Sequence, residues 1–472
     1  MIITEDKLIA LKLQAESTNA PEYILKKLIE AHDTTEMERG TRYYHNKNDI
    51  KNRVMYYYDA NGNRQIDHEA INHRIPHNWH KLLVDQKVSY LLGKPVVIDA
   101  DPDEYARLLN DWLDEEFDDK LQEIGKNASN KGVEYLHPYI NPEGEFKFVI
   151  IPAEQCIPIY DTDYQEEIVE FIRFYPVWVN DKERIRAEWW TPQIVTYYIQ
   201  QDNGLFELEM EEGKANPDSH FYYGNNGYGW GKVPFIEFKN NEEKESDLQY
   251  YREIIDIYDL VVSDLANDLA SLQKLIYVLK GYEGTSMKEF VDNLRFFRSV
   301  KVSGDDGSGV DILQADIPVA AIDTFLDREE ENIFLFGQGV NIKTDKFGSS
   351  PSGIALKFLF HLLDLKSNIM ARKFAFAIKK FCWFLTEYLA LSGEYTAPAH
   401  AIDTVKVTFT KSMLTNELEL TQMALQSKGV ISDETIIANH PWVDNVQDEK
   451  DKMAEEQEAR VDLDDVGDGD AE

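Results

Sequence analysis

Between Asp247 and about Lys280, apolar residues recur every three or four positions. Ile254, Tyr258, Val261, Leu265, Leu269 and Leu272 fall on one side, and Glu253, Asp256, Asp259, Asp264 and Asp268 fall on the other. That period predicts one long amphipathic helix with an acidic face. Val319 to Phe336 repeats the pattern and carries Asp323, Asp327, Glu329, Glu330 and Glu331. Between the two lies a compact excursion: an expected helix Ser286 to Phe297, a strand Val300 to Val302, the turn Gly304-Asp305-Asp306-Gly307 and a strand Val310 to Leu313. Gly337-Gln338-Gly339 then opens a polar loop that ends at Ser349-Ser350-Pro351-Ser352. Beyond it the helical period persists for about forty residues, roughly 60 Å of straight helix, before Ser392-Gly393 stops it. A helix of that length points to a kink or to a scaffold that builds a ring.

The first 240 residues have a different order. Helical spacing is present at Tyr23 to Ala31 and at His77 to Leu92, which stops at Gly93 with Pro95 beyond, and two acidic helices are expected between Pro102 and Asn127. The period then changes to strands: Val133 to Tyr160 with a hairpin turn at Asn141-Pro142-Glu143-Gly144, then Ile168 to Val179, Ile185 to Gln200, Leu205 to Glu211 and Val233 to Phe238. This is an α+β unit, helices first and an antiparallel sheet after. A strand at Val405 to Phe409 and helices at Asn416 to Gln426 and Asp433 to Ala438 follow the long helix.

Composition narrows the reading. The 472 residues suggest two to four structural units. With 49 Lys+Arg against 86 Asp+Glu the net charge is −37, which excludes a protein that coats nucleic acid through a basic surface. Thirteen acidic and three basic residues from Asp444 to Glu472 predict a solvated, disordered end. Cys156 and Cys382 stand far apart without a paired spacing, as expected of a chain made in a reducing cytoplasm. Charges occupy the place of a signal peptide's apolar run, and eight charged residues interrupt the stretch Ile354 to Leu391, so a soluble chain is expected.

Candidate chemistry is sparse. Gly229-Trp230-Gly231-Lys232 lacks the first glycine of a phosphate loop, has Val233 where magnesium needs a hydroxyl, and meets Pro234 where a helix should start. It reads as a hairpin loop. His73, His77 and His80 have helical spacing, but Pro76 interrupts it, so they read as surface or packing histidines. Carboxylates are too common to single out an acid–base pair, and no nucleophile elbow is present. No catalytic residue, cofactor or metal ligand is therefore expected.

Three separated segments carry a resemblance. Ile75-Pro-His-Asn-Trp-His-Lys-Leu-Leu-Val-Asp-Gln-Lys-Val-Ser-Tyr-Leu-Leu-Gly-Lys-Pro, Val233-Pro-Phe-Ile-Glu-Phe-Lys-Asn-Asn and Phe347-Gly-Ser-Ser-Pro-Ser-Gly-Ile-Ala-Leu-Lys-Phe resemble stretches of portal proteins of long-tailed bacteriophages. The likeness covers about residues 20 to 430. It implies a mainly helical α+β portal fold: a wing at 1–245, stem helices at 246–274 and 317–337, a clip at 275–316, a tunnel loop at 338–351, a long wing helix at 352–391, and a crown with the acidic tail at 392–472. It implies a ring of roughly twelve copies at one capsid vertex, through which double-stranded DNA is packaged and ejected without sequence preference. The implied partners are terminase and the capsid, scaffolding and head-completion proteins; no membrane is involved. On this reading Asn341, Lys343, Thr344, Lys346, Ser349 and Ser350 face DNA, and Glu253, Asp256, Asp259, Asp264, Asp268, Asp323, Asp327 and Glu330 line the channel. An attractive wall would brake a sliding duplex, whereas an acidic one keeps it centred. The alternatives are another head–tail adaptor, an internal scaffold protein of the virion, or an acidic cytosolic hydrolase.

Overall fold

A computed structural model describes residues 3–14, 20–59, 61–179, 181–210, 215–271, 276–280, 309–313, 318–341, 353–412 and 417–438, with parts of 440–454. Helices α1 (Glu5–Gln14), α2 (Ala20–Glu30) and α3 (Thr35–Tyr44) come first. A two-stranded hairpin follows, β2 (Tyr56–Tyr58) with β3 (Arg64–Ile66), preceded in the chain by β1 (Ile3–Thr4). Then come α4 (Trp79–Leu92), β4 (Val96–Asp99), α5 (Asp103–Trp112) and α6 (Glu115–Lys131). Asp114 starts α6 by accepting from the Glu116 and Phe117 amides, and Gly132 ends it at φ 93°.

The strands form two main sheets. β5 (Val133–Ile140) and β6 (Phe146–Ile151) make the expected hairpin, and β15 (Ile236–Lys239) joins on the other side of β5. The larger, seven-stranded sheet contains β7 (Cys156–Tyr160), β8 (Ile168–Val179), β9 (Lys182–Trp190), β10 (Ile194–Gln200), β11 (Phe206–Leu208) and the short β12 (Asp218–Ser219), with β1 parallel at the β7 edge. Leu8, Ile24, Leu25 and Leu28 of α1 and α2 pack on Ile157, Ile159, Trp189 and Phe206 of this sheet. A second small hairpin, β13 (Phe221–Tyr223) with β14 (Asn226–Tyr228), precedes the Gly229-Trp230-Gly231-Lys232 loop.

Three elements complete the scaffold. α7 (Arg252–Ser271) and α8 (Val319–Phe336) pack side by side, and α9 (Gly353–Ser392) runs as a single 40-residue helix. Met370, Phe374, Ile378, Phe381, Leu385 and Leu389 put one face of α9 into the main core, against α5, α6 and the β5 sheet. That burial sustains a helix too long to stand by propensity alone. Here the expectation of one helix to Lys280 is corrected. α7 is described as far as Ser271, and β16 (Ile276–Lys280) pairs antiparallel with β17 (Gly309–Leu313). Ile276, Tyr277 and Val278 are strand formers, and the cross-strand ladder wins over the helical period. β18 (Lys406–Phe409) pairs with β4. The expected helix at 286–297, the strand at 300–302, the loop at 342–350 and the acidic end beyond 454 lie outside the described residues. Among those described, no helix is long and apolar enough to cross a membrane.

Candidate functional site at the roots of the acidic helices

The expected division of α7 into an apolar inner face and an acidic outer face does not hold. Its buried stripe is Ile255, Asp259, Ser263 and Asn267, at four-residue spacing. Ile254, Tyr258, Val261 and Leu265 are half-buried, and Leu269 is exposed. The cause is the irregular strap from Asn48 to Asn78, whose backbone N–H groups need acceptors once covered. α7 supplies them. Asp259 accepts from the His77 amide at 2.9 Å and from Asn48 Nδ2 at 2.6 Å, and His77 Nδ1 lies 2.7 Å away. Ser263 Oγ accepts from the Ile75 amide at 3.0 Å, and Asn267 Oδ1 from the His73 amide at 2.6 Å.

The eight acids expected to line a channel therefore divide. Asp259 is fully buried, and Glu330 is also buried. Asp256 accepts from the Tyr43 hydroxyl, and burial raises its pKa although that bond lowers it. Asp264 pairs with Arg53 at 2.5 Å. A place on the open acidic face is thus corrected for Asp259 and Glu330, which are covered by the chain itself. Glu253, Asp268, Asp323 and Asp327 remain exposed. Charge alone could not separate the two groups in the sequence. The signal was the run of short polar side chains at 259, 263 and 267, which matches a covered polar backbone better than a solvated face.

The loop that follows α8 has a fixed root. Gln86 of α4 donates to the Val340 carbonyl at 2.9 Å and accepts from the Val340 amide at 3.0 Å, and Val340 is buried with Tyr90 and Leu363. Lys366 donates to the Gly337 carbonyl at 3.0 Å. Gly337 and Gly339 stand where the polar loop opens. They serve close packing: a Cβ would come within 2.5 Å of Leu83 Cδ1 at Gly337 and within 2.2 Å of Leu83 Cδ2 at Gly339. Asn341 is half-buried, while Lys343, Thr344, Lys346, Ser349 and Ser350 lie outside the described residues.

Beneath this root lies a buried charge cluster that sequence reasoning missed. Lys87 Nζ is 2.6 Å from both Asp247 Oδ2 and Asn240 Oδ1, and Lys366 reaches the same carboxylate at 3.1 Å. Burial pushes Lys87 down to about 8 against the pull of Asp247. Burial would raise Asp247, but Lys366 and Lys87 outweigh it and hold the carboxyl far below its usual range. One acid serving two lysines joins α4, the β15 end and α9. An open groove of about 560 Å³ adjoins the cluster, lined by Tyr250, Phe336, Arg372 and Lys373 among others.

The remaining candidates occupy packing positions. His80 is buried beside the Tyr251 hydroxyl at 2.8 Å, and burial holds its pKa down to about 3. Lys232 lies over the Trp383 ring at 4.3 Å, in a loop before β15. Among the described residues, no three His, Cys, Asp or Glu side chains converge as metal ligands.

Known proteins match this arrangement along most of its length. The family model for phage portal proteins of the SPP1 Gp6-like kind matches residues 25–462. The portal protein of Bacillus phage SPP1 is 38% identical over 436 residues, covering 92% of this chain and 86% of its own length. That of Clostridium phage phiCD119 is 33% identical over 446 residues, covering 90% and 93%. A chain of a solved structure described as the neck of an empty GTA particle computed with C6 symmetry aligns at a TM-score of 0.44. It shares 11% identity and covers 76% of this chain and 88% of that one.

Proposed function

The chain belongs to the SPP1 Gp6-like family of phage portal proteins, and from that premise we propose how its parts divide the work of a DNA channel. Copies close into a ring of roughly twelve through heterologous contacts. α7 and α8 form the stem wall, residues 1–245 with α9 form the wing, and the crown is the part from 392 onward. The β16–β17 ladder is the base of a clip (275–316) that docks terminase and later head-completion proteins. The protein sits at the portal vertex of the capsid.

The observation that carries this reading is the unequal treatment of the acids. α7 is held on one side by the strap, while Glu253 and Asp268, with Asp323 and Asp327 of α8, stay exposed. Repeated around a ring, these four acids per copy repel phosphates on every side and centre the duplex. The loop pinned at Val340 projects toward the axis, where Lys343 and Lys346 meet phosphate briefly and without sequence preference.

Native mass measurement and axial imaging of the purified protein test this reading. A closed ring near twelve subunits is expected; a monomer or small closed dimer under all conditions refutes it. Deleting 284–312 should abolish terminase docking while leaving ring assembly through the wing, and a deletion that still recruits terminase refutes the clip assignment.

A further inference from the structure

The β2–β3 hairpin carries an apolar face that the described residues leave exposed. Tyr56 stands opposite Ile66 and Tyr58 opposite Arg64 in the ladder. Side chains alternate along a strand, so Tyr56, Tyr58, Arg64 and Ile66 share one face. All four are exposed, Tyr58 at 73%. The Arg64 guanidinium lies 3.6 Å from the Tyr56 ring centroid. A two-stranded hairpin is marginal in water at best, and it becomes stable when its apolar face packs on a helix or on further strands.

The base of this hairpin is fixed. Asp67 donates its amide to the Met55 carbonyl at 2.9 Å, Asn72 donates to the Arg53 carbonyl at 3.1 Å, and Arg53 is paired with Asp264 of α7. The strap therefore presents the aromatic face in a set direction from α7.

α9 carries a matching surface. Phe358, His361, Leu365, Ile369, Arg372 and Phe376 are exposed at spacings of three and four residues, which makes one continuous stripe. Phe358 is 76% exposed and Phe376 64%. The stripe contains two basic side chains and no acid. At 1.5 Å per residue it runs about 27 Å, long enough to seat a hairpin with three-residue strands. A tyrosine face accepts a guanidinium, as Tyr56 already does from Arg64, so Arg372 suits the same rings.

We propose that the β2–β3 hairpin of one copy lies on the 358–376 stripe of the next copy. The occupant is thus a second copy of this chain. Hairpin and stripe are different patches, so the contact is head-to-tail and propagates around a ring. The inference rests on the ring reading above and adds which surfaces make the contact.

A photo-crosslinker tests it in the full-length protein. Tyr58→p-benzoylphenylalanine, irradiated after assembly, is expected to give a ladder of covalently joined subunits on a denaturing gel. Mass spectrometry of the joined peptides should place the partner within 353–380. A second variant, Tyr56→Ser with Tyr58→Ser, should shift the ring–monomer balance toward monomer by at least tenfold without changing the far-ultraviolet circular dichroism. Rings that form normally but crosslink elsewhere, or only within one chain, overturn the proposal and leave the ring reading standing. Wild-type protein that forms no ring by native mass overturns both.

Discussion

Replacing Asp259 by Ala isolates the seam between α7 and the strap. The substitution removes the acceptor for the His77 amide, the His77 ring and Asn48 Nδ2. The ring can relieve itself by changing tautomer, and Asn48 keeps its bond to the His77 carbonyl. One backbone N–H and one amide hydrogen are then buried without partners. At about 1–3 kcal/mol per orphaned group, the seam loses about 4 kcal/mol, or roughly a thousandfold in its opening equilibrium. Hydrogen–deuterium exchange followed by mass spectrometry reads this directly. The amides of His73, Ile75 and His77 are expected to accelerate together, because each is bonded to a side chain of the same helix. The core amides of α6 and β5 should keep their rates. If only the His77 amide accelerates, the three bonds are independent and the strap is not one cooperative unit. No change in any of the three refutes the reading that Asp259 holds the strap to α7.

Other outcomes follow from the same structure. Gly339→Ala must displace the buried Leu83 and Gln86, and should lower the melting temperature through about 1–3 kcal/mol of overpacking. His80, held down to about 3, and His137 and His220, each down to about 4 through burial, stay neutral in the fold while the unfolded chain binds protons. Stability should therefore fall as pH drops from about 6.5 toward 4. Glu134, pushed up to about 7 by burial, works in the opposite direction. His137→Gln should flatten the slope of thermal melting against pH; an unchanged slope refutes the assignment. Replacing Lys343 and Lys346 together by Glu should leave ring assembly intact and impair DNA packaging; packaging at the normal rate removes the loop as a DNA contact. Purified protein should show no ATP hydrolysis above background, and activity lost with Lys232→Ala would contradict that expectation.

What the sequence revealed depended on how local the cause was. The β5–β6 hairpin, the stop of α4 at Gly93 and the extent of α8 follow from turn residues and period within a dozen positions, and they stand where they were expected. The sequence expectation carries α7 on to Lys280 because Leu272 continues its period. What competes there is pairing with residues 309–313, more than thirty positions away. The buried side of α7 was misread for a related reason. A solvated acid and an acid that receives backbone amides look alike in sequence, and only the strap, some two hundred residues upstream, separates them. The Lys87–Asp247–Lys366 cluster draws on three distant segments and left no local trace.

The seam between α7 and the strap also has a mechanical meaning. A helix held by apolar side chains can slide by one turn, about 5.4 Å, and bury much the same area. A helix held through Asp259, Ser263 and Asn267 has no such freedom. Moved one turn, the carboxylate would leave the His77 amide, the His77 ring and Asn48, and Ile255 or Ser263 would stand in its place. The contact behaves like meshed teeth: thrust along the helix axis is passed to the strap and, through the bonds of Asp49 to Arg42 and Tyr43, to α3. For a tube through which a stiff polymer is driven under load, such indexing keeps the wall at one height relative to its mount.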